Sequence, residues 1–173
     1  MTTTVRNISL DDSDISAFRE AMRHLVGGVT VITAGVAEAR TGLTVTSAIS
    51  LSIDPPTMLI CVDHKASAWP VIQREGRFCV NILEARHQPV ADRFAGGGGA
   101  KGAQRYDGAV WRRLGTGAFG LEDALAVVDC AVEETIERHS HGIIIGAVRS
   151  VLLGGGGEAL VYGHGRYRAV KLG

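Results

Sequence analysis

The sequence predicts a mainly β fold, an antiparallel barrel with a few flanking helices. Three observations carry that expectation. Short β-branched runs recur along the chain, tight turns join them, and the alternating strand–helix rhythm of a parallel sheet is missing.

The first element is nevertheless a helix. Ile15, Phe18, Met22, Leu25 and Val26 recur at helical spacing, after cap-competent Asp12 and Ser13 and before Gly27-Gly28. VTVITA (29–34) then reads as a strand, GVAEARTG (35–42) as a turn, and LTVTSAISLSI (43–53) as a second strand completing a hairpin. Asp54-Pro55-Pro56 must end it, because proline has no donor for a ladder and restrains its predecessor. TMLICVD (57–63) makes a third strand, SAWPVIQREG a short helix, RFCVNIL (77–83) a fourth strand and EARHQPVADRF a helix whose start is limited by Pro89. AGGGGAKGAQRYDG (95–108) has the composition of a mobile surface loop rather than part of a core. Three strands close the chain: 124–137, with alternation through Val128, Cys130, Val132 and Ile136, then 142–153 and 159–170, the last two separated by a turn at four consecutive glycines, 154–157.

The bulk properties narrow the class. A chain of 173 residues with 46% hydrophobic content suits a single domain, expected over 14–173 behind an N-terminal tail at 1–13. Eighteen basic and eighteen acidic residues cancel, so no global field recruits nucleic acid or an anionic membrane. Cys61, Cys79 and Cys130 lie far apart in apolar runs, which suits buried free thiols in a reducing cytoplasm. No apolar signal core or membrane-length run is present in the sequence.

Several motifs point elsewhere and fail on context. Gly115-Thr-Gly117-Ala-Phe-Gly120 matches a dinucleotide fingerprint, but it stands before a strand pattern instead of opening a helix, so it reads as a loop. His139-Ser-His141 resembles half a metal site without a completing ligand, and a hydrogen-bonding histidine near a pocket suits it better. No nucleophile elbow supports hydrolysis.

The segment 40–67 is the informative one. Thr44, Val45, Thr46, Ser47, Ser50 and Ser52 place small hydroxyls and open backbone beside an apolar run, and Lys65 and Ser67 follow one strand later. A planar heteroaromatic ring with a phosphate tail needs flat backbone and small side chains at the ring, then a cation and hydroxyls at the tail. The same composition also suits a Thr/Ser-rich strand with a polar outer face.

Four blocks, FREAMRHLVGGVTVITA, GLTVTSAISLSIDPPTMLICVDHKAS, GRFCVNIL and HSHGIIIGAV, together resemble the short-chain flavin reductase family, the reductase partners of two-component flavin-dependent monooxygenases. The resemblance spans roughly residues 14–170 and implies an FMN-binding split β-barrel working as a homodimer. It implies that Thr44, Val45, Thr46 and Ser47 lie along the isoalloxazine and ribityl chain. Asp63 to Ser67 would then lie near the phosphate, with Lys65 and Ser67 as contacts and Ser50 as a further one. Phe94 and Arg105 fall where the family closes over the flavin. His141 keeps the histidine of the family's Gly-Asp-His motif, associated with the nicotinamide, while Ser140 replaces its acidic residue, which leaves NADH versus NADPH open. Arg166 and Tyr167 match the family's C-terminal tyrosine region, although an ordinary surface arginine and a barrel-packing tyrosine fit equally well.

The activity this resemblance implies is NAD(P)H:flavin oxidoreduction, with hydride passing from nicotinamide C4 to the N5 of FMN or FAD and reduced flavin passing to a monooxygenase. The protein's share is placement and electrostatics, so no nucleophilic residue is needed. Two rivals share the architecture: a binding protein that holds flavin or haem without turnover, and an oxidase of the pyridoxamine phosphate type, which takes electrons from an amine.

Overall fold

The computed structural model describes residues 15–171. The expected tail at 1–13, its boundary with the domain, and the cap candidates Asp12 and Ser13 lie outside the described residues. The elements run α1 (Ser16–Arg23), β1 (Gly27–Gly28), β2 (Thr30–Ala34), β3 (Thr41–Val45), β4 (Ala48–Ile53), β5 (Pro56–Asp63), α2 (Ala68–Glu75), β6 (Arg77–Ile82), α3 (Gln88–Phe94), β7 (Trp111–Arg113), β8 (Phe119–Leu121), β9 (Ala126–Arg138), β10 (His141–Leu153), β11 (Glu158–Gly163) and β12 (Arg166–Lys171).

Seven strands form one antiparallel sheet in the order β3-β2-β6-β9-β10-β5-β4. Its two edge strands are consecutive in the chain. Only Thr46 and Ser47 join β3 to β4, and three Cα steps reach at most roughly 11 Å, so the sheet must curl until its edges meet. No ladder joins β3 to β4, and the barrel is split there. The single strand expected over 43–53 is therefore two strands on opposite edges, with the bend stabilised by Ser47 Oγ donating to the Cys61 carbonyl at 3.2 Å.

Side chains alternate across this sheet into two cores. Ile32, Phe78, Val80, Val128, Cys130 and Ile144 fill one, while Val31, Cys79, Leu83 and Val127 meet Val90, Phe94 and Tyr106 in the other. Gly142 and Gly146 stand on one face of β10 because large rings occupy the space above them. A Cβ on Gly142 would lie 2.0 Å from the Trp69 ring, and one on Gly146 2.6 Å from Phe78.

Three further expectations need correction. Residues 159–170 form a hairpin, turning at Gly163-His164-Gly165, and β11 pairs with β1 and β12 in a separate three-stranded sheet instead of with β10. The glycine-rich segment 95–108 is not wholly a surface loop, since Tyr106 is 4% exposed, donates its hydroxyl to the Thr41 carbonyl at 2.7 Å and packs against Phe94 and Trp111. The helix α1 forms but ends at Arg23, short of Leu25 and Val26, and Phe18 and Met22 on it, like the two residues beyond it, are about half exposed or more in the single chain. The Gly115–Gly120 segment is, as expected, no dinucleotide loop: it belongs to the β7–β8 hairpin, with Thr116 donating to the Asp129 carboxylate through both its amide (2.9 Å) and hydroxyl (2.5 Å).

Candidate functional site

Two adjoining cavities that share Thr44 and Ala95 lie along β3, one edge strand of the split sheet. The larger, about 490 Å³, is walled by Leu43 and Thr44 of β3, by Lys65, Ala66 and Ser67 after β5, by Phe94 and Ala95 at the end of α3, and by Lys101, Gly102 and Arg105. Its lining holds three cations and no carboxylate. The smaller, about 250 Å³, is walled by Val29, Thr44, Val45, Thr46, Ala95, Tyr162 and Tyr167.

Local chemistry fixes these groups. Asp63 ends β5 and accepts the Lys65 amide at 2.8 Å through its carboxylate, while its carbonyl accepts the Ala66 amide at 2.9 Å. That Asx turn aims the next three residues at the cavity. Ser67 is the N-cap residue of α2, so the positive end of the helix dipole opens on the cationic lobe. The Ser67 hydroxyl shares a 2.9 Å hydrogen bond with Thr41 Oγ1. Thr44 donates its hydroxyl to the Ala91 carbonyl at 2.6 Å, which leaves the oxygen only accepting capacity toward a ligand.

Arg105 is held from behind. Its guanidinium donates to the carbonyls of Gly42, Phe94 (3.1 Å) and Ala100 (3.3 Å). Burial lowers its pKa from the usual value, although an arginine keeps its charge throughout the working range. Phe94 is 1% exposed and forms the floor of the cavity beneath Gly42, where a Cβ would come within 2.6 Å of the ring.

Of the residues singled out from sequence, Thr44, Lys65, Ser67, Phe94 and Arg105 meet in the larger cavity and Thr44, Val45, Thr46 and Tyr167 in the smaller. Ser47 closes the adjacent bend. Ser50 lies on the exposed edge strand β4, Asp63 shapes the turn, and Arg166 lines a different hollow with Val26, His164 and Arg168. His141 begins β10 directly opposite Asp63, is exposed, and shares a 2.9 Å hydrogen bond with Ser140 through Nδ1. Sequence reading missed Lys101 and Tyr162. The first was hidden in a glycine-rich segment; the second stands in a turn-interrupted strand, where its 5.1 Å edge contact with Tyr167 has no local signal. No cluster of metal-binding side chains occurs among the described residues, and none of their helices is long and apolar enough to cross a membrane.

Comparison with known proteins gives the family of the chain. Residues 22–171 match the family model described as the flavin reductase like domain. The chain is 40% identical over 160 residues to an FMN reductase (NADH) RutF of Methylorubrum populi, covering 91% of this chain and 77% of the relative. It is 36% identical over 169 residues to the RutF protein of Agrobacterium fabrum, covering 98% and 92%. Among solved structures, BorF, the flavin reductase component of a bacterial two-component tryptophan halogenase, superposes with a TM-score of 0.84 at 30% identity over 92% of this chain and 100% of that one. The NADH:FAD oxidoreductase SgcE6 of Streptomyces globisporus gives 0.84 at 28% identity over 98% and 99%. With a matched domain over residues 22–171 and a relative 40% identical over 91% of the molecule, this chain belongs to the flavin reductase family.

Proposed function

We propose that this chain is an NADH-dependent flavin reductase that reduces FMN and releases it to a separate monooxygenase. The observation that carries the reading is the two-lobed cavity along Thr44, cationic and free of carboxylates at one end, aromatic and edged with small hydroxyls at the other. A flavin mononucleotide matches that division of chemistry. Bound there, the flavin supplies a ring that accepts hydride.

The chain's own residues hold and orient it. Thr44, Val45, Thr46 and Ser47 run along the ring and ribityl chain, and the Thr44 oxygen accepts a ribityl hydroxyl. Lys65, Ser67 and the amino end of α2 take the phosphate, Asp63 holds Lys65 in place, and Phe94 and Arg105 support the wall. Tyr167 faces the ring lobe.

His141 and Arg166 are proposed to position the nicotinamide nucleotide, and Ser50 is a weaker flavin contact. These three line neither lobe of a single chain, so the reading includes a homodimer in which a second copy completes the site. Exposed Ile49, Leu51 and Ile53 on β4, Val151 and Leu153 on β10 and the apolar side of α1 support it, because so much uncovered aliphatic surface is uncommon on a monomer. NADH is favoured as donor and FMN as acceptor by the relatives named FMN reductase (NADH). The monooxygenase partner follows neighbours described as components of two-component systems. A cytoplasmic setting accords with three free thiols.

Anaerobic mixing of protein, FMN and NADH tests the reading. Bleaching of the flavin band with matching NAD+ formation is expected. Confirmed flavin binding with no bleaching by either nicotinamide nucleotide overturns it in favour of a binding protein.

A further inference from the structure

Arg105 in the cationic lobe is pinned by three carbonyls. Its two lysines are held through the backbone alone: the Lys65 amide donates to the Asp63 carboxylate, and the Lys101 amide donates to Gln104 Oε1 at 3.4 Å while the Lys101 carbonyl accepts the Gln104 amide at 3.0 Å. Lys101 is the one next to the glycine-rich segment. It stands at the far end of a strap, residues 96–100, between the end of α3, where the Ala95 amide donates to the Ala91 carbonyl at 2.9 Å, and the Arg105 anchor. Gly96, Gly98 and Gly99 in that strap, and Gly102 just beyond Lys101, have positive φ. A Cβ on any of the first three would meet nothing within 4 Å, whereas one on Gly97 would lie 2.7 Å from the Asp92 carbonyl oxygen, so the strap touches α3 at that point and is open on either side of it. The Lys101 side chain is exposed, lines the cavity with Lys65, Ser67 and Arg105, and makes no ion pair among the described residues.

We propose that Lys101 is the residue by which this chain selects a terminal phosphate monoester, the end group of FMN, over the bridging diphosphate of FAD and the bare hydroxyl of riboflavin. This rests on the flavin reading above and specifies how its phosphate end is recognised. Three cations around one carboxylate-free cavity exceed the need of a singly charged phosphate. A monoester near neutral pH carries between one and a half and two negative charges, roughly, on three terminal oxygens, whereas each phosphorus of a diphosphate bridge carries about one. A lysine ammonium is a compact point charge on a flexible stem suited to such terminal oxygens, and Lys101 lines the same cavity as Lys65.

Equilibrium titration of FMN, FAD and riboflavin by flavin fluorescence, on the full chain and on Lys101→Ala and Lys101→Arg, tests the assignment. FMN affinity should fall about tenfold in Lys101→Ala, as for loss of one charge-assisted contact, FAD affinity should fall less, and riboflavin affinity should not change. Lys101→Arg should restore most of the FMN affinity. An unchanged FMN dissociation constant in Lys101→Ala, or equal weakening of all three flavins, overturns the inference while leaving the flavin reading intact. Failure of the unaltered chain to bind any of the three overturns both.

Discussion

Arg105→Ala separates two jobs that one guanidinium performs. The side chain donates to the carbonyls of Gly42, Phe94 and Ala100, tying β3, the end of α3 and the glycine-rich strap to one point. Truncation leaves three carbonyls to find water or go unpaired. A hydrogen bond from a charged donor contributes about 1.5 to 3 kcal/mol, but three from one group do not add. The arginine is half-buried and the Ala100 contact is long, so the expected loss is about 2 to 3 kcal/mol after discounting for solvent. For a chain of this size that is a fall in Tm of roughly 5 to 10 °C. Urea unfolding measures it directly, as a lower midpoint at constant slope, and hydrogen exchange should show protection lost in residues 95–106 before the rest of the barrel. Arg105→Lys keeps the charge and loses the fork, so it should lose nearly as much stability while retaining more FMN affinity than Arg105→Ala. An Arg105→Ala midpoint within about 0.5 kcal/mol of the unaltered protein, with unchanged exchange in the strap, would refute the anchoring role.

Other substitutions probe the remaining parts. Lys65→Ala should weaken FMN by about 1 to 3 kcal/mol, as expected for a charge-assisted phosphate contact; an unchanged dissociation constant returns Lys65 to the solvated surface. His141→Ala should raise KM for the nucleotide with FMN binding largely intact, and loss of flavin binding alone would contradict that placement. Gly42→Ala puts a Cβ 2.3 Å from the Ile32 carbonyl oxygen and against Phe94, so it should destabilise the β2–β3 edge by about 1 to 3 kcal/mol, read by urea unfolding. Stability should also fall in acid. Burial raises the Asp123 carboxyl, but the attraction of His87, whose Nε2 lies 3.2 Å away with poor hydrogen-bond alignment, and of Arg86 outweighs it and leaves the pKa below the usual value. A depressed carboxyl contributes fully above its unfolded pKa of about 4 and loses that contribution as pH falls through the folded value. Urea midpoints taken downward from pH 7 should therefore decline more steeply in the unaltered protein than in Asp123→Asn.

The strands were legible because β-branched residues cluster in short runs, and 29–34, 57–63 and 77–83 lie within a residue or so of β2, β5 and β6. Their pairing was not legible. Residues 43–53 contain no turn residue stronger than serine, and every side chain there is compatible with a strand. The break at Thr46-Ser47 is imposed by curling of the sheet, a non-local event without a local signature. At the C-terminal end, Gly163 and Gly165 were present as a turn signal, but separating one bent strand from a hairpin needed knowledge of β1, only two residues long, as a pairing partner. Tyr106 was lost in glycine-rich composition, although an aromatic beside such a segment is a candidate anchor for it.

For the site, the small hydroxyls of β3 and the Asp63–Ser67 turn were visible from residue type and spacing, and their convergence on one cavity depends on α3 packing across β3. Residue type alone favoured a polar strand face. Geometry adds what composition lacked: Thr44 commits its hydrogen to Ala91, and Ser67 stands at the head of α2. Conversely, His141 and Arg166 were joined to the same pocket by resemblance, and on a single chain they lie on separate surfaces. In the proposed homodimer a second subunit brings them together, so sedimentation of the unaltered chain beside Ile53→Asp is informative: a dimer dissociated by the aspartate is expected.

The proposed activity is turnover of a flavin in this cavity with electrons from a nicotinamide. Its most direct test is the steady-state rate of NADH oxidation by the purified chain as FMN is added from zero. Negligible oxidation is expected without flavin, with a rate that saturates as FMN fills the site. NADH oxidation that does not respond to FMN, or no oxidation with FMN bound, would contradict it.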